Sequence, residues 1–411
     1  MVDFDTPEEL VLVGDNLIRF VESEVVSLES QNAELLSSER NIYEENGRFV
    51  PEILALRKQV RMKSAEAGFY TMLAPAELGG GGLGTLASVY LLELIGAVYG
   101  PGRLLIHPVV LPSTFTNGVS PLLEYLEPEL RDRYLPDIAS GEKSLCFALS
   151  EPDAGSDALA IKTRAVRDGD AWVINGTKQW ITNSPYADYA MLFAVTDPDA
   201  VAARKGGITA FFIDTTTPGF DVTSIVRFMG QQGGDTGIIS LQDVRVPDNH
   251  RLGDVGLGLS VAMHGINTGR LGMAAGCLGF ARWALDQAVA YAKTRKTFGK
   301  PIGEHQAVQL LLAESAMDIY AAKNMILNCA WRVEKSLPSR KEISMVKAYA
   351  TEMLNRVMDR CMQVHGAMGL TNELRLEAGY RFARIMRIPD GTGEIQRRTI
   401  ARELLYGDDS L

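Results

Sequence analysis

The residues best equipped for chemistry lie in one stretch, Arg387-Ile388-Pro389-Asp390-Gly391-Thr392-Gly393-Glu394-Ile395-Gln396, where carboxylates, a hydroxyl and two glycines follow a proline. The runs on either side, 378–386 and 395–405, carry apolar residues at three- and four-residue spacings, so two helices are expected to meet here. A Gly-Thr-Gly segment that opens a helix leaves free backbone N–H groups, which suit an oxygen-rich or anionic ligand and put Asp390 beside it. The same residues also read as a plain helix-helix turn in which Asp390 is exposed or caps the second helix.

Further clusters carry chemistry of their own. Arg295-Lys296-Thr297-Phe298-Gly299-Lys300-Pro301, followed by Glu304-His305-Gln306, breaks a long helical pattern with clustered donors. Those donors suit phosphate, and they equally suit the negative end of a helix dipole. Gly176-Thr177-Lys178-Gln179-Trp180-Ile181-Thr182-Asn183 sets a Trp beside a Thr at a strand end, a flat wall for a planar ring with a hydroxyl at its edge. Taken singly, it and Glu151-Pro152-Asp153-Ala154-Gly155-Ser156-Asp157 also read as ordinary loops. The run Leu78-Gly79-Gly80-Gly81-Gly82-Leu83-Gly84 is a connector and not a phosphate loop, because no Lys-Ser/Thr follows it and no strand precedes it.

Cys146, Cys277, Cys329 and Cys361 are far apart and lack CxxC spacing, so buried free thiols in a reducing compartment are expected. His107, His250, His264, His305 and His365 show no ligand spacing, and no metal is expected. The net charge of −10 argues against general affinity for nucleic acid or for an anionic membrane, both of which require a positive field. The sequence opens acidic, Met-Val-Asp-Phe-Asp-Thr-Pro-Glu-Glu, without the pattern of a secretory signal or transit peptide. No apolar run approaches the roughly 18 residues of a membrane span. A cytoplasmic protein is the expectation.

The elements that must position these clusters fall into three blocks. Residues 1–143 read as helices, including 51–67 and 86–98. In 144–253 the period changes to two, with short β-branched and aromatic runs at 145–150, 161–166, 171–174, 189–196, 208–214 and 238–246. Helical segments do not alternate with these strands, so the block is an antiparallel barrel or sandwich and not a doubly wound nucleotide-binding sheet. Residues 254–411 are helical again, with long patterns at 258–294, 304–334, 340–366 and 372–386 that imply a bundle. The fold class is therefore α+β, mostly α.

The strings LSEPDAGSD, NGTKQWITN, SLQDVRVP, RKTFGKPIGEHQ, QVHGAMGLTNE and DGTGEIQRRTIAREL, in this order, closely resemble the acyl-CoA dehydrogenase family. The resemblance covers essentially the whole chain and is loosest before residue 70. It implies a helical N-terminal domain, an antiparallel β-barrel middle domain and a C-terminal four-helix bundle. It also implies one non-covalent FAD per subunit, an acyl-CoA substrate, an electron-transferring flavoprotein as acceptor and a homotetramer built as a dimer of dimers. By the resemblance, Phe147, Leu149 and Ser150 lie against the flavin ring, Trp180 and Thr182 are its wall and edge hydrogen bond, and Ser156 meets flavin phosphate and the acyl-CoA chain. Arg295, Phe298, Gln306, Gln363 and Gly366 match residues that hold the pyrophosphate and adenosine of a neighbouring subunit's FAD. Thr392 and Glu394 match flavin contacts, and Arg270 and Gly391 match positions at the substrate's thioester end.

The family's base stands at Asp390 and removes the pro-R α-proton while a hydride leaves the β-carbon for flavin N5. Most members have Glu there, whereas this chain has the shorter acid. Some branches place the base just before the arginine matching Arg270, where this chain has Gly269, which cannot act. Two other readings remain beside the dehydrogenase. Nitroalkane-oxidising flavoproteins resemble this family and carry Asp at the matching position, and a DNA-associated branch exists. Arg397, Arg398 and Arg402 are too few for strong duplex binding.

Overall fold

A computed structural model of the chain describes residues 6–229 and 234–407. The described residues form two compact units, one taking in Met1–Ile18, Gly84–Arg103 and Asn267–Leu411 and the other Arg19–Leu83 and Leu104–Ile266. The first block of helices is thus shared between the units. It contains α1 (Glu8–Phe20), α2 (Pro51–Glu66), α3 (Thr85–Tyr99) and α4 (Pro128–Ala139), of which α2 and α4 open on a proline whose missing N–H costs nothing in a first turn.

The helical unit is built on α5 (Gly258–Thr294, from Asn267 onward), α6 (Gln306–Glu334), α7 (Arg340–His365), α8 (Leu376–Met386) and α9 (Gly393–Tyr406), together with α3. Along α7 the residues Ile343, Val346, Ala350, Met353, Leu354, Val357, Met358, Cys361 and Val364 recur at three- and four-residue spacing, and all are buried. Gly366, at φ +59°, ends that helix. Helices α3 and α5 approach closely at glycine. A Cβ on Gly279 would stand 2.4 Å from the Glu93 carbonyl oxygen and 2.9 Å from the Gly96 Cα, so a side chain there would force the helices apart.

The other unit carries the sheet: β1 (Leu145–Ala148), β2 (Arg164–Asp168), β3 (Ala171–Thr182), β4 (Tyr189–Val195), β5 (Ile208–Asp214), β6 (Phe220–Ile225) and β7 (Thr236–Pro247). Pairing is antiparallel for β2 with β3, β3 with β7, β6 with β7 and β4 with β5. Strand β1 instead runs parallel to β4, with Leu145 beside Tyr189, because the β2–β3 hairpin intervenes in sequence and returns the chain in the same direction. Strand β4 is buried throughout and feeds two cores by alternation. Tyr189, Met191, Phe193 and Val195 join a cluster with Leu145, Tyr134 and Phe212, while Ala190, Leu192 and Ala194 join one with Trp172, Phe211 and Val244.

Strand β3 continues well past the run of 171–174 expected from sequence, because β-bulges carry the ladder through Gly176 and Trp180 instead of ending it in a turn. Strand β6, with its exposed polar positions, has no counterpart among the expected strands. Among the described residues no helix is long and apolar enough to cross a membrane.

Candidate active site

In the sheet-bearing unit the two polar strings lie side by side. The Gln179 N–H donates to the Ser150 carbonyl at 2.9 Å, and the Lys178 ammonium donates to the Leu149 carbonyl at 3.0 Å and to Glu151 Oε1 at 2.7 Å. The Glu151 carboxylate in turn accepts from the backbone N–H groups of Lys162 at 2.6 Å and Thr163 at 3.0 Å. Lys178 and Glu151 are both buried. Burial pushes the Lys178 ammonium down to about 8 despite the opposing charge of Glu151.

This clamp sits under a bulge that turns Trp180, at φ +66°, out of the sheet. Trp180 is 50% exposed and lies against Phe228 with ring centroids 6.2 Å apart. Thr182 beside it is exposed. Asn183, also at positive φ, is buried and donates from Nδ2 to the carbonyls of Thr116 and Leu145, both at 2.8 Å, which fixes the strand end. Phe147 packs between Phe115 and Phe193, each ring centroid 4.8 Å away. Leu149 turns its side chain into the core, so contact with a ligand there falls to backbone, and Ser150 is half-buried. Ser156 is exposed on its loop. An exposed indole face with a free-standing hydroxyl next to it fits a flavin ring, which is planar with a polar edge.

In the helical unit, α8 ends before Pro389 and the chain turns through two left-handed residues, Asp390 at φ +56° and Gly391 at φ +91°, into α9. A Cβ on Gly391 would stand 2.7 Å from Gln396 Nε2, so both space and dihedral require glycine. The two carbonyls of this turn face inward onto side-chain donors. Arg270 Nε donates to the Asp390 carbonyl at 2.8 Å, Lys347 Nζ donates to that of Gly391 at 2.9 Å, and Gln396 Nε2 donates to both at 3.0 Å. Arg270 is anchored through Nη1 to Asn267 Oδ1 at 3.1 Å. Thr392 caps α9, its hydroxyl accepting from the Ile395 N–H at 3.4 Å.

The electrostatics of the turn follow from its burial. Asp390 keeps partial solvent access, yet the protein packed around its carboxyl lifts it above the usual carboxylate range, against the lowering pull of Arg270 and Lys347. Lys347 is fully buried, and desolvation pushes its ammonium down to about 8, with Asp390 acting the other way. The exposed Glu394 carboxyl is held low by its own backbone N–H and by Thr392.

The remaining candidates lie on a second part of the same unit. Arg295 is exposed at the end of α5, and Phe298, 96% exposed at φ +51°, tips a two-strand hairpin, Lys296–Thr297 with Lys300–Pro301. Gln306 opens α6 and is exposed. Gln363 and Gly366 lie at the end of α7, where His365 stacks on Tyr291 of α5 with centroids 4.6 Å apart. An exposed aromatic on a hairpin that follows Arg295 and leads into Gln306 suits an adenine and a pyrophosphate.

Sequence reasoning passed over Lys347, Gln396, Lys178 and Glu151 as individual residues. The available signal was the same for both lysines: a cation at a position whose periodicity faces the core. Among the described residues no group of three or more His, Cys, Asp or Glu is arranged to hold a metal.

Compared with known proteins, the N-terminal, middle and C-terminal domains of acyl-CoA dehydrogenase match residues 16–142, 146–244 and 256–405. A probable acyl-CoA dehydrogenase of Bacillus subtilis is 39% identical over 347 residues, covering 84% of this chain and 90% of that protein. A subunit of the caffeyl-CoA reductase-Etf complex of Acetobacterium woodii is 37% identical over 362 residues, 88% of this chain and 92% of that protein. Among solved structures, butyryl-CoA dehydrogenase from Megasphaera elsdenii superposes with a TM-score of 0.83 at 28% identity, over 98% of this chain and 100% of that one. The chain belongs to the acyl-CoA dehydrogenase family, FAD-dependent oxidoreductases acting on acyl-CoA thioesters.

Proposed function

We propose that the protein forms a double bond between the α- and β-carbons of an acyl-CoA thioester, with Asp390 as the base. The observation that carries this reading is the Asp390 turn, in which a carboxyl raised by burial sits in a backbone conformation held by side-chain donors on both of its carbonyls. A raised carboxyl is a stronger base than one in water and stands nearer the working pH.

A thioester α-proton is too weak an acid for an unaided carboxylate, so the thioester oxygen must be hydrogen-bonded as enolate charge develops. Asp390 offers its backbone N–H for that purpose and its carboxylate for the proton. The α C–H bond breaks with its proton passing to Asp390, and the β-hydrogen leaves with its electron pair, giving a 2-enoyl-CoA. FAD supplies the acceptor for that hydrogen and pair when bound. In the reverse direction the protonated Asp390 returns the proton to the α-carbon.

Phe147, Leu149, Ser150, Trp180, Thr182, Thr392 and Glu394 hold the flavin on this reading. Ser156, Arg270 and Gly391 meet the substrate, and Arg295, Phe298, Gln306, Gln363 and Gly366 hold the phosphate and adenosine of a neighbouring copy's cofactor. The assembly is a cytoplasmic homotetramer with domains 1–143, 144–253 and 254–411. Electrons pass on to an electron-transferring flavoprotein, a step supported by the relative named as an Etf-complex subunit.

An anaerobic spectral titration with a panel of acyl-CoA thioesters, wild type beside Asp390→Asn, tests the proposal. Flavin bleaching in wild type should slow by about 10³-fold or more in the variant, a loss at the larger end for proton transfer. Equal rates in the two proteins would remove Asp390 as the base. Peroxide production with a nitroalkane, without bleaching by any thioester, would move the protein to the oxidase reading.

A further inference from the structure

We propose that Lys347 is a positioning residue for Asp390: its buried ammonium fixes the Gly391 carbonyl and joins Arg270 in supplying positive charge beside the neighbouring carboxyl. This rests on the reading of Asp390 as the base.

The geometry is specific. Lys347 lies about a third of the way along α7 on its buried face, between Ile343, Ser344 and Thr351, and none of its surface is exposed. Packing alone has no use for an ammonium there, since methionine has similar volume and no charge to desolvate. What the ammonium contacts is the Gly391 carbonyl at 2.9 Å, next to Asp390 in the chain.

That carbonyl belongs to a strained turn. Asp390 is a non-glycine residue in the left-handed region and is followed by a second left-handed residue, an arrangement that persists only when its surroundings over-determine it. Arg270 and Gln396 hold the first carbonyl, and Gln396 and Lys347 hold the second. Because the donors come from α5, α7 and α9, the direction of the carboxyl is set by three helices at once.

The charged groups bearing on the pair all come from these elements and their neighbours. Asp390 is faced by Arg270 and Lys347. Lys347 is faced by Asp390, the Cys277 thiol, Arg270 and Glu352. Burial drives the two partners toward neutrality from opposite sides, the carboxyl upward and the ammonium downward; the Asp390 charge is favoured first by Arg270 and then by Lys347, and the Lys347 charge first by Asp390. Removing the lysine charge therefore raises the Asp390 midpoint further, and removing the aspartate charge lowers that of Lys347.

The test uses holoenzyme and three lysine variants. Lys347→Gln keeps a donor and loses the charge, Lys347→Met loses both, and Lys347→Arg keeps both. The Asp390 carboxyl is titrated by infrared difference spectroscopy against Asp390→Asn, and kcat/KM with an acyl-CoA is followed over pH. In Lys347→Gln the infrared midpoint and the acid limb of kcat/KM should both rise by about one pH unit, the effect of losing an opposite charge at close range. Lys347→Met should show the same rise and a further fall of about tenfold in plateau kcat, because the Gly391 carbonyl loses a donor. Lys347→Arg should keep the wild-type midpoint.

A folded Lys347→Gln with an unmoved infrared midpoint would overturn the proposal. A midpoint that moves while the acid limb stays put would uphold the coupling and overturn Asp390 as the base. If the lysine variants do not fold, the coupling is read from the other side. Lysine labelled at Nζ with nitrogen-15 should titrate lower in Asp390→Asn than in wild type, since the coupling is reciprocal. An unchanged Lys347 midpoint there would also overturn the proposal.

Discussion

Asp390 combines features that conflict with stability: a left-handed backbone at a residue with a Cβ, and a carboxyl whose ionised form is disfavoured by burial. Functional groups are often held in such states at a cost to the fold. With the folded carboxyl raised above its unfolded value near 3.9, the unfolded chain gives up its proton first as pH rises, so the folded state loses stability through that window and does not regain it at neutral pH. Asparagine mimics the protonated form and removes the penalty. Asp390→Asn should therefore raise thermal stability at pH 7 by about 0.5–2 kcal/mol, with the gain disappearing below about pH 3.9. Calorimetry of both proteins across pH checks this. A variant less stable than wild type at pH 7 would show that the pull of Arg270 and Lys347 outweighs desolvation.

At the scale of elements, the loop after β1 and the bulged end of β3 are joined by the buried Lys178–Glu151 pair, 2.7 Å apart, and not by apolar packing alone. Breaking a buried pair leaves one charge uncompensated, whereas replacing both partners with neutral groups is often harmless. Lys178→Met alone should cost about 3–5 kcal/mol in urea unfolding, and Lys178→Met with Glu151→Gln should cost clearly less. Burial also pushes Lys178 down to about 8, so between about pH 8 and the free-lysine value near 10.4 the unfolded chain binds the extra proton. Stability contributed by this group should rise with pH through that window and show no such rise in Lys178→Met. This clamp also marks how far sequence reading reaches. Long helices were legible because Ile343, Val346, Ala350 and Leu354 repeat with the helical period, and β4 because its short apolar run, with Tyr189, Phe193 and Val195 in it, is unbroken. The Asp390 turn was legible from Pro389 and Gly391, and its placement beside Arg270 only through the family resemblance. What a period cannot report is which distant segment a buried polar side chain reaches. Lys178 and Lys347 each sit in an apolar pattern, and their partners are Leu149 and Glu151 in one case and Gly391 in the other.

For the molecule as a whole, the notable surface is on the helical unit. Leu310, Met317 and Tyr320 fall within about 80° of one another on α6 at the helical angle of 100° per residue, and they are 57%, 72% and 73% exposed. Phe298 at the nearby hairpin is almost fully exposed. Single exposed apolar residues are unremarkable, but on the proposed homotetramer a row of large ones along one helix face is the surface expected to meet a neighbouring copy. A second copy of the chain is the economical occupant, because a two-fold contact counts each side chain twice. Burying Met317 and Tyr320 from both copies contributes at most about 6–12 kcal/mol at roughly 1.5–3 kcal/mol per fully exposed side chain, a gain of the same order as the cost of association, so that losing it shifts the balance. Wild type should therefore sediment as a multiple of the 44.9 kDa chain, four copies on the proposed assembly. The double variant Met317→Glu with Tyr320→Glu should weaken that association by more than about 100-fold, since it removes the apolar contact and places like charges across the axis. If Arg295, Phe298 and Gln306 bind the cofactor of a neighbouring copy, the same variant should also release FAD, visible as lost flavin absorbance in the sedimenting boundary. An unchanged sedimentation coefficient would exclude this face of α6 from the interface, and dissociation with FAD retained would place the adenosine contacts within a single copy.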